Sequence, residues 1–189
     1  EIDNSLVTNE NSGIIPNYAL LMAGGRGERL KPLTNECPKP MIEVNGKPIL
    51  EIILEQCIRS GIRKFFISVC YLADKIIKYF GDGSQWNVEI NYLYEKKPLG
   101  TAGALNLLPK NLNQPIFLIN GDILTKVDFK NLLDYHNSNK GEITICAGEH
   151  ILKSPYGVIN IDGINYIDMI EKPSFKNLIN AGIYVINNA

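Results

Sequence analysis

The feature that most constrains this chain is an alternation between apolar runs and stretches with helical spacing. Tyr18–Met22, Lys64–Tyr71 (KFFISVCY), Val88–Tyr94, Pro115–Asn120 (PIFLIN) and Glu142–Ala147 read as strands. Between them Pro48–Gly61 (PILEIILEQCIRSG), Ala73–Phe80, Thr101–Leu108 and Phe129–Asn137 read as helices, with Gly61, Gly81 and Pro109 as stop signals. PIFLIN is continuously apolar, the pattern of a strand buried on both faces of a parallel sheet. The order βαβαβαβαβ predicts an α/β fold, a Rossmann-like three-layer sandwich around a mostly parallel central sheet. After about residue 155 the pattern changes: YGVINID, NYIDMIEKP and NAGIYVIN follow one another without long helices, so a β-rich part closes the sequence.

In such sheets ligands sit beyond the carboxyl ends of the strands. Three loops fall there: Ala23–Lys39, Glu95–Gly103 and Gly121–Asp122. With 189 residues, 45% of them hydrophobic, there is enough chain for one domain with a substantial core. The balance of 19 Lys+Arg against 20 Asp+Glu argues against a basic nucleic-acid surface. No apolar run approaches the roughly 20 residues that cross a bilayer. Residues 1–15 are polar and acidic, unlike a secretory leader. Cys37, Cys57, Cys70 and Cys146 show no metal-ligand spacing and are expected to be reduced, in a cytoplasmic protein.

The first of those loops, LMAGGRGERLKPLTNECPKPMIEV, brings Gly24, Gly25 and Gly27 close to Arg26, Arg29, Lys31 and Lys39. It is not a P-loop, because Gly27 is followed by Glu28-Arg29 rather than the required spacing to Gly-Lys-Ser/Thr. Nor is it a dinucleotide fingerprint: the third glycine position is Leu30, and Pro32 would break a helix opening there. An NAD-dependent dehydrogenase is therefore disfavoured. Bare glycine amides with nearby cations still suit a polyphosphate. Pro38 and Pro40 flank Lys39 and are expected to fix its backbone.

AGGRGERLKPLT…PKPM resembles the signature of the sugar-1-phosphate nucleotidyltransferases. PLGTAGAL (Pro98–Leu105), NGD (Asn120–Asp122), YGV (Tyr156–Val158), EKP (Glu171–Pro173) and NAGIY (Asn180–Tyr184) follow in the family's order, across about residues 17–187. PLGTAGAL is most similar to the mannose- and heptose-1-phosphate guanylyltransferases. The resemblance implies a sugar-binding role for the β-rich part. It also implies attack by a sugar 1-phosphate oxygen on the α-phosphorus of an NTP, with pyrophosphate leaving. No protein nucleophile is needed in such a reaction; positioning and charge stabilisation do the work.

Carried over by motif, the catalytic residues are Arg29 on the triphosphate, Lys39 at the reacting phosphate and Asp122 as the Mg²⁺ ligand. The nucleotide would be held by Ala23, Gly24, Gly25, Gly27, Glu95, Gly100 and Thr101. The sugar phosphate would be held by Gly157, Glu171, Lys172 and Asn180. Glu95 stands where dTTP-using relatives typically carry Gln. A carboxylate only accepts, and guanine presents N1–H and N2–H₂ side by side. GTP is therefore the favoured nucleotide, with dTTP or UTP as the alternative.

A second reading is a non-catalytic relative that binds a nucleotide-sugar and regulates a partner. Such a subunit would be expected to lose Lys39, Asp122 or Lys172, and all three are present. Two departures stand out: Glu28 occupies a position where many relatives have Thr, and the family's second metal-binding Asp would fall beyond Ala189. Residues 1–16 are expected to be a linker from an upstream region, and 17–189 a nucleotidyltransferase domain cut short at its C-terminus. An upstream regulatory domain and a homo-oligomer fit that picture.

Overall fold

Apolar strands that lack alternation can bury both faces only by lying inside a sheet covered on two sides, and the computed structural model has that arrangement. It describes residues 13–100 and 102–187. In chain order the elements are β1 (Ile15–Met22), β2 (Glu43–Val44), β3 (Lys47–Pro48), α1 (Ile49–Arg59), β4 (Ile62–Val69) and α2 (Ala73–Phe80). There follow β5 (Glu89–Tyr94), β6 (Ile116–Asn120), α3 (Phe129–Asn139), β7 (Ile143–Lys153), β8 (Val158–Asp162), β9 (Asn165–Ile170) and β10 (Ser174–Ile186).

The main sheet has the order β5-β4-β1-β6-β10-β7. The four strands from β5 to β6 are parallel, and β10 runs antiparallel to β6. The chain divides into two compact units. One comprises residues up to Thr144 together with those from Gly182 onward; the other is Ile145–Ala181.

In the first unit the core lies on both sides of the sheet. Leu20, Phe66, Leu93 and Leu118 form one buried cluster with Ala104. Ala19, Leu21, Phe65, Ile67, Phe117 and Ile119 are fully buried as well. α1 buries Leu50, Ile53, Leu54 and Cys57, one stripe at i, i+3, i+4, i+7. Burial pushes the Cys57 thiol pKa well above its ordinary value. α3 begins at Asp128, whose carboxylate accepts the N–H groups of Lys130 and Asn131 at 2.9 and 3.1 Å. All four cysteines are free thiols.

Several elements differ from expectation. β1 starts at Ile15 rather than Tyr18, inside the stretch expected to be linker. Pro16 has no N–H to give, and the ladder to β4 is irregular between Ile15 and Tyr18. The start of the strand is held on both sides: Ile15 N–H donates to Gly61 O at 2.9 Å, and buried Asn17 donates its side-chain N–H to Pro115 O at 2.7 Å. The helix expected over Thr101–Leu108 is not found among its described residues, 102–108. They hold a short 3₁₀ turn, Gly103–Leu107, preceded by Gly100 at φ +79°. The β2–β3 hairpin was not expected. Its Asn45-Gly46 corner has φ of 55° and 77°, the left-handed pair that a two-residue hairpin turn requires. β7 and β10 are longer than expected, and each contributes to both units.

The second unit contains the antiparallel β8–β9 hairpin. Val158 pairs with Ile170, and Asn160 donates its side-chain N–H to Asp168 at 2.6 Å.

Candidate active site

The register of the sheet builds the site. Met22 at the end of β1 is level with Ser68 of β4 and with Asn120 of β6. Three loops therefore leave the sheet at one edge. Ala23 N–H donates to Ser68 O at 3.0 Å, Gly121 N–H to Met22 O at 2.9 Å, and Glu95 N–H to Val69 O at 2.9 Å. These bonds extend the ladder one residue past each strand and fix where each loop departs.

The glycines stand where side chains will not fit. A Cβ on Gly121 would lie 2.5 Å from Met22 O, so that loop needs glycine to run against β1. Gly27 has φ +62°, and a Cβ there would lie 2.9 Å from both Lys39 Cβ and Thr34 Cγ2. Buried Thr34 also donates its hydroxyl to Gly27 O at 2.9 Å. Thr34 and Lys39 thus both close on Gly27, twelve residues before Lys39 in the chain.

Lys39 opens a 3₁₀ turn, Lys39–Met41, between buried Pro38 and Pro40. Met41 N–H donates to Pro38 O at 2.8 Å and Ile42 N–H to Lys39 O at 3.2 Å. With its backbone fixed, the Lys39 ammonium forms an ion pair and hydrogen bond with Asp122. The side chains are 37% and 31% exposed, so the pair sits at the mouth of the pocket within reach of solvent.

A pocket of about 280 Å³ opens around this pair. Its lining brings together Gly24, Gly25, Gly27, Lys39, Glu95, Gly100 and Asp122, seven of the residues expected to serve the nucleotide and the metal. Ala23 is buried directly before them. Arg29 is exposed, in the short turn Glu28–Leu30, and is not part of the lining. Thr101 lies outside the described residues. Glu95 is anchored: its Oε2 accepts Leu99 N–H at 2.9 Å, and its Oε1 would meet a Cβ on Gly24 at 2.9 Å.

Pro40, expected to fix the backbone of Lys39, completes the lining with Met22, Pro98 and Asn120, which had been assigned no role from sequence. Asn120 is the most informative of them. Its Oδ1 is buried with no hydrogen-bond partner, and a Cβ on Gly182 (φ +69°) would lie 2.6 Å from its Nδ2. The Asn-Gly-Asp spacing was the available signal. Among the described residues no group of three or more His, Cys, Asp and Glu forms a metal cage. A single carboxylate at a pocket mouth, beside an orphaned oxygen, fits a hard cation that takes its other ligands from phosphates and water.

The remaining expected residues belong to the second unit. A Cβ on Gly157 would lie 3.0 Å from Glu171 Oε2, so these two are neighbours. Lys172, at φ 46°, places its ammonium 3.9 Å from Glu171 Oε1, and both side chains are exposed. Asn180 lies on β10 and is exposed.

Residues 18–189 match the family profile described as nucleotidyl transferase. Among curated relatives, the mannose-1-phosphate guanylyltransferase catalytic subunit beta of Drosophila pseudoobscura pseudoobscura is 38% identical over 176 residues, 89% of this chain and 47% of that protein. The mannose-1-phosphate guanyltransferase of Saccharomyces cerevisiae is 36% identical over 180 residues, 89% of this chain and 49% of that protein. The chain thus spans about half the length of the curated relatives it matches. Among solved structures, HddC from Yersinia pseudotuberculosis, complexed with GMP-PN, superposes with a TM-score of 0.69 at 29% identity, covering 91% of this chain and 77% of that one.

Proposed function

The chain belongs to the nucleotidyl transferase family, and from that membership we propose that it moves GMP from GTP to a sugar 1-phosphate, releasing pyrophosphate and leaving a GDP-sugar. The observation that carries the proposal is the convergence of Gly24, Gly25, Gly27, Lys39, Glu95 and Asp122 on one pocket at the carboxyl edge of a parallel sheet. Mannose 1-phosphate is the acceptor to test first, since it stands in the names of the relatives.

The reaction needs two anions brought together and the charge on phosphorus absorbed as pyrophosphate departs. The glycine stretch lets the triphosphate approach the backbone closely. Lys39, leaving Asp122, reaches the reacting phosphate and stabilises the added negative charge. Arg29 meets the leaving pyrophosphate from the rim. Asp122, with Asn120 beside it, would hold Mg²⁺, which when bound neutralises phosphate charge. Glu95 faces the base and accepts guanine N–H donors on the lone pairs that Leu99 leaves free. Glu171, Lys172, Asn180 and Gly157 receive the sugar phosphate, and Thr101 the nucleotide. The proposal takes residues 17–189 as the nucleotidyltransferase domain of a cytoplasmic enzyme.

The test is a matrix. GTP, UTP and dTTP are each offered with mannose, glucose and heptose 1-phosphates and Mg²⁺, and pyrophosphate is measured. Release with GTP and mannose 1-phosphate above every other pair is expected. No release with any pair defeats the proposal.

A further inference from the structure

Between Gly27 and Lys39 the chain runs out and back as a strap, and three consecutive carbonyls of that strap are gripped from outside the pocket. Tyr71 donates its hydroxyl to Asn35 O at 2.7 Å and lies 3.3 Å from Thr34 O. Lys75 donates its ammonium to Glu36 O. Both donors come from one short segment. β4 ends at Val69, and Leu72, in left-handed backbone, turns the chain into α2, where Lys75 lies in the first turn. The residue before that segment, Cys70, passes close to the site, since a Cβ on Gly24 would lie 3.3 Å from its Cβ. At its inner end Thr34 is tied to Gly27 O, and Thr34 and Lys39 both close on Gly27. The position of the Lys39 ammonium therefore depends on a chain of contacts that begins at Tyr71 and Lys75.

We propose that Tyr71 and Lys75 are positioning residues for Lys39. By holding the carbonyls of residues 34–36 they keep the strap against α2 and so keep the lysine over the reacting phosphate. Neither side chain lines the pocket. The inference rests on the reading that Lys39 stabilises charge at that phosphate. Loosening the strap lowers the fraction of molecules with Lys39 in place. Nucleotide binding by the glycine stretch and Glu95 remains, so kcat falls while KM for the nucleotide holds. Loss of one such bond corresponds to about a tenfold fall, and loss of both to about a hundredfold, the range expected for a misplaced catalytic group.

The variants are Tyr71→Phe, Lys75→Met, the pair of them, and Lys75→Arg as the conservative replacement, each in wild-type and Lys39→Ala backgrounds. Steady-state kinetics give kcat and KM; amide hydrogen exchange reports on Leu33 and Asn35, whose N–H groups close turns within the strap. Expected are lower kcat with KM within about twofold, partial rescue by Lys75→Arg, and no additional loss in the Lys39→Ala background. Strap exchange should quicken while exchange in β4 does not. Unchanged kcat in the wild-type background, or an equal loss with and without Lys39, overturns the proposal. If Lys39→Ala itself leaves kcat intact, the reading of Lys39 has failed and takes the positioning role with it. Exchange then reports separately whether the strap is held. Should the double variant not fold, Lys75→Met alone decides between the same outcomes.

Discussion

Lys39 and Asp122 reach each other from different loops. One returns from a strap after β1, the other leaves β6 two residues past its end, and they meet as an ion pair at the pocket mouth. In the proposed chemistry both have other tasks. The lysine must move toward phosphate and the carboxylate toward a cation, so the pair is what each site holds before substrate arrives. Lys39→Ala is expected to lower kcat by about a hundredfold to a thousandfold, as for removal of a charge-stabilising donor. Folding stability should change by no more than about 1 kcal/mol, because an exposed ion pair contributes little. Pyrophosphate release and urea unfolding on the same protein separate the two effects.

Base choice can be tested at Glu95. Gln at that position keeps a carbonyl oxygen for Leu99 N–H, so the loop should stand, but it gains a donor suited to the O4 edge of uracil or thymine. Glu95→Gln should shift the ratio of GTP to UTP use by about tenfold toward UTP, the worth of one hydrogen bond. The ratio of kcat/KM values measures it. An unmoved ratio would leave Glu95 as a loop anchor only.

Two glycines in the same loop should respond in opposite ways to a methyl group. Gly27→Ala forces a Cβ against Lys39 and Thr34 at positive φ and should cost about 1–3 kcal/mol of stability. Around Gly25 nothing lies within 4 Å of a new Cβ, so Gly25→Ala should keep its stability within about 0.5 kcal/mol. Because that methyl would stand where phosphate must approach, the KM for GTP should rise. Thermal melts paired with kinetics check both.

Alkaline stability should depend on Tyr79. Its hydroxyl donates to Glu51 at 2.6 Å, and that bond, followed by burial and the charge of Glu51, pushes its pKa from 10.0 up to about 12. The raised value means the fold favours the neutral phenol. The resulting stabilisation is complete below pH 10 and is lost as pH rises through about 12. Tyr79→Phe should lose stability less steeply across that window. Tyr92, also pushed up to about 12, chiefly by burial, is present in both proteins and cancels. Urea midpoints measured across that interval give the comparison.

Much of this was visible in the residues because burial on both faces leaves a plain mark. PIFLIN read as a strand buried on both faces and KFFISVCY as a strand, and both lie inside the sheet, as β6 and β4; Gly81 at φ +54° ends α2 where the sequence placed the stop. Thr101–Leu108 misled because its apolar spacing fits a helix, while Gly100 and the close approach of Gly103 to Leu99 allow only a tight turn. The glycines, Lys39, Glu95 and Asp122 could be found from motifs. The outward placement of Arg29 could not, since a three-residue turn decides it. Nor could the grip of Tyr71 and Lys75, which donate to carbonyls and so leave no trace in the identity of the residues they hold.

The level ends of β1 and β6 have a consequence for how such a site tolerates change. Met22 and Asn120 share one rung of the ladder, and each loop is hooked to the sheet one residue later. A slip of a single residue between those strands would part the two loops by about 3.3 Å, more than a hydrogen bond can span. The strap is constrained in length as well, because an added residue would shift the carbonyls that Tyr71 and Lys75 hold and with them the return to Lys39. Insertions and deletions should therefore be poorly tolerated both in the rungs and between Gly27 and Lys39, so that a library randomised in length at either place would recover few working catalysts.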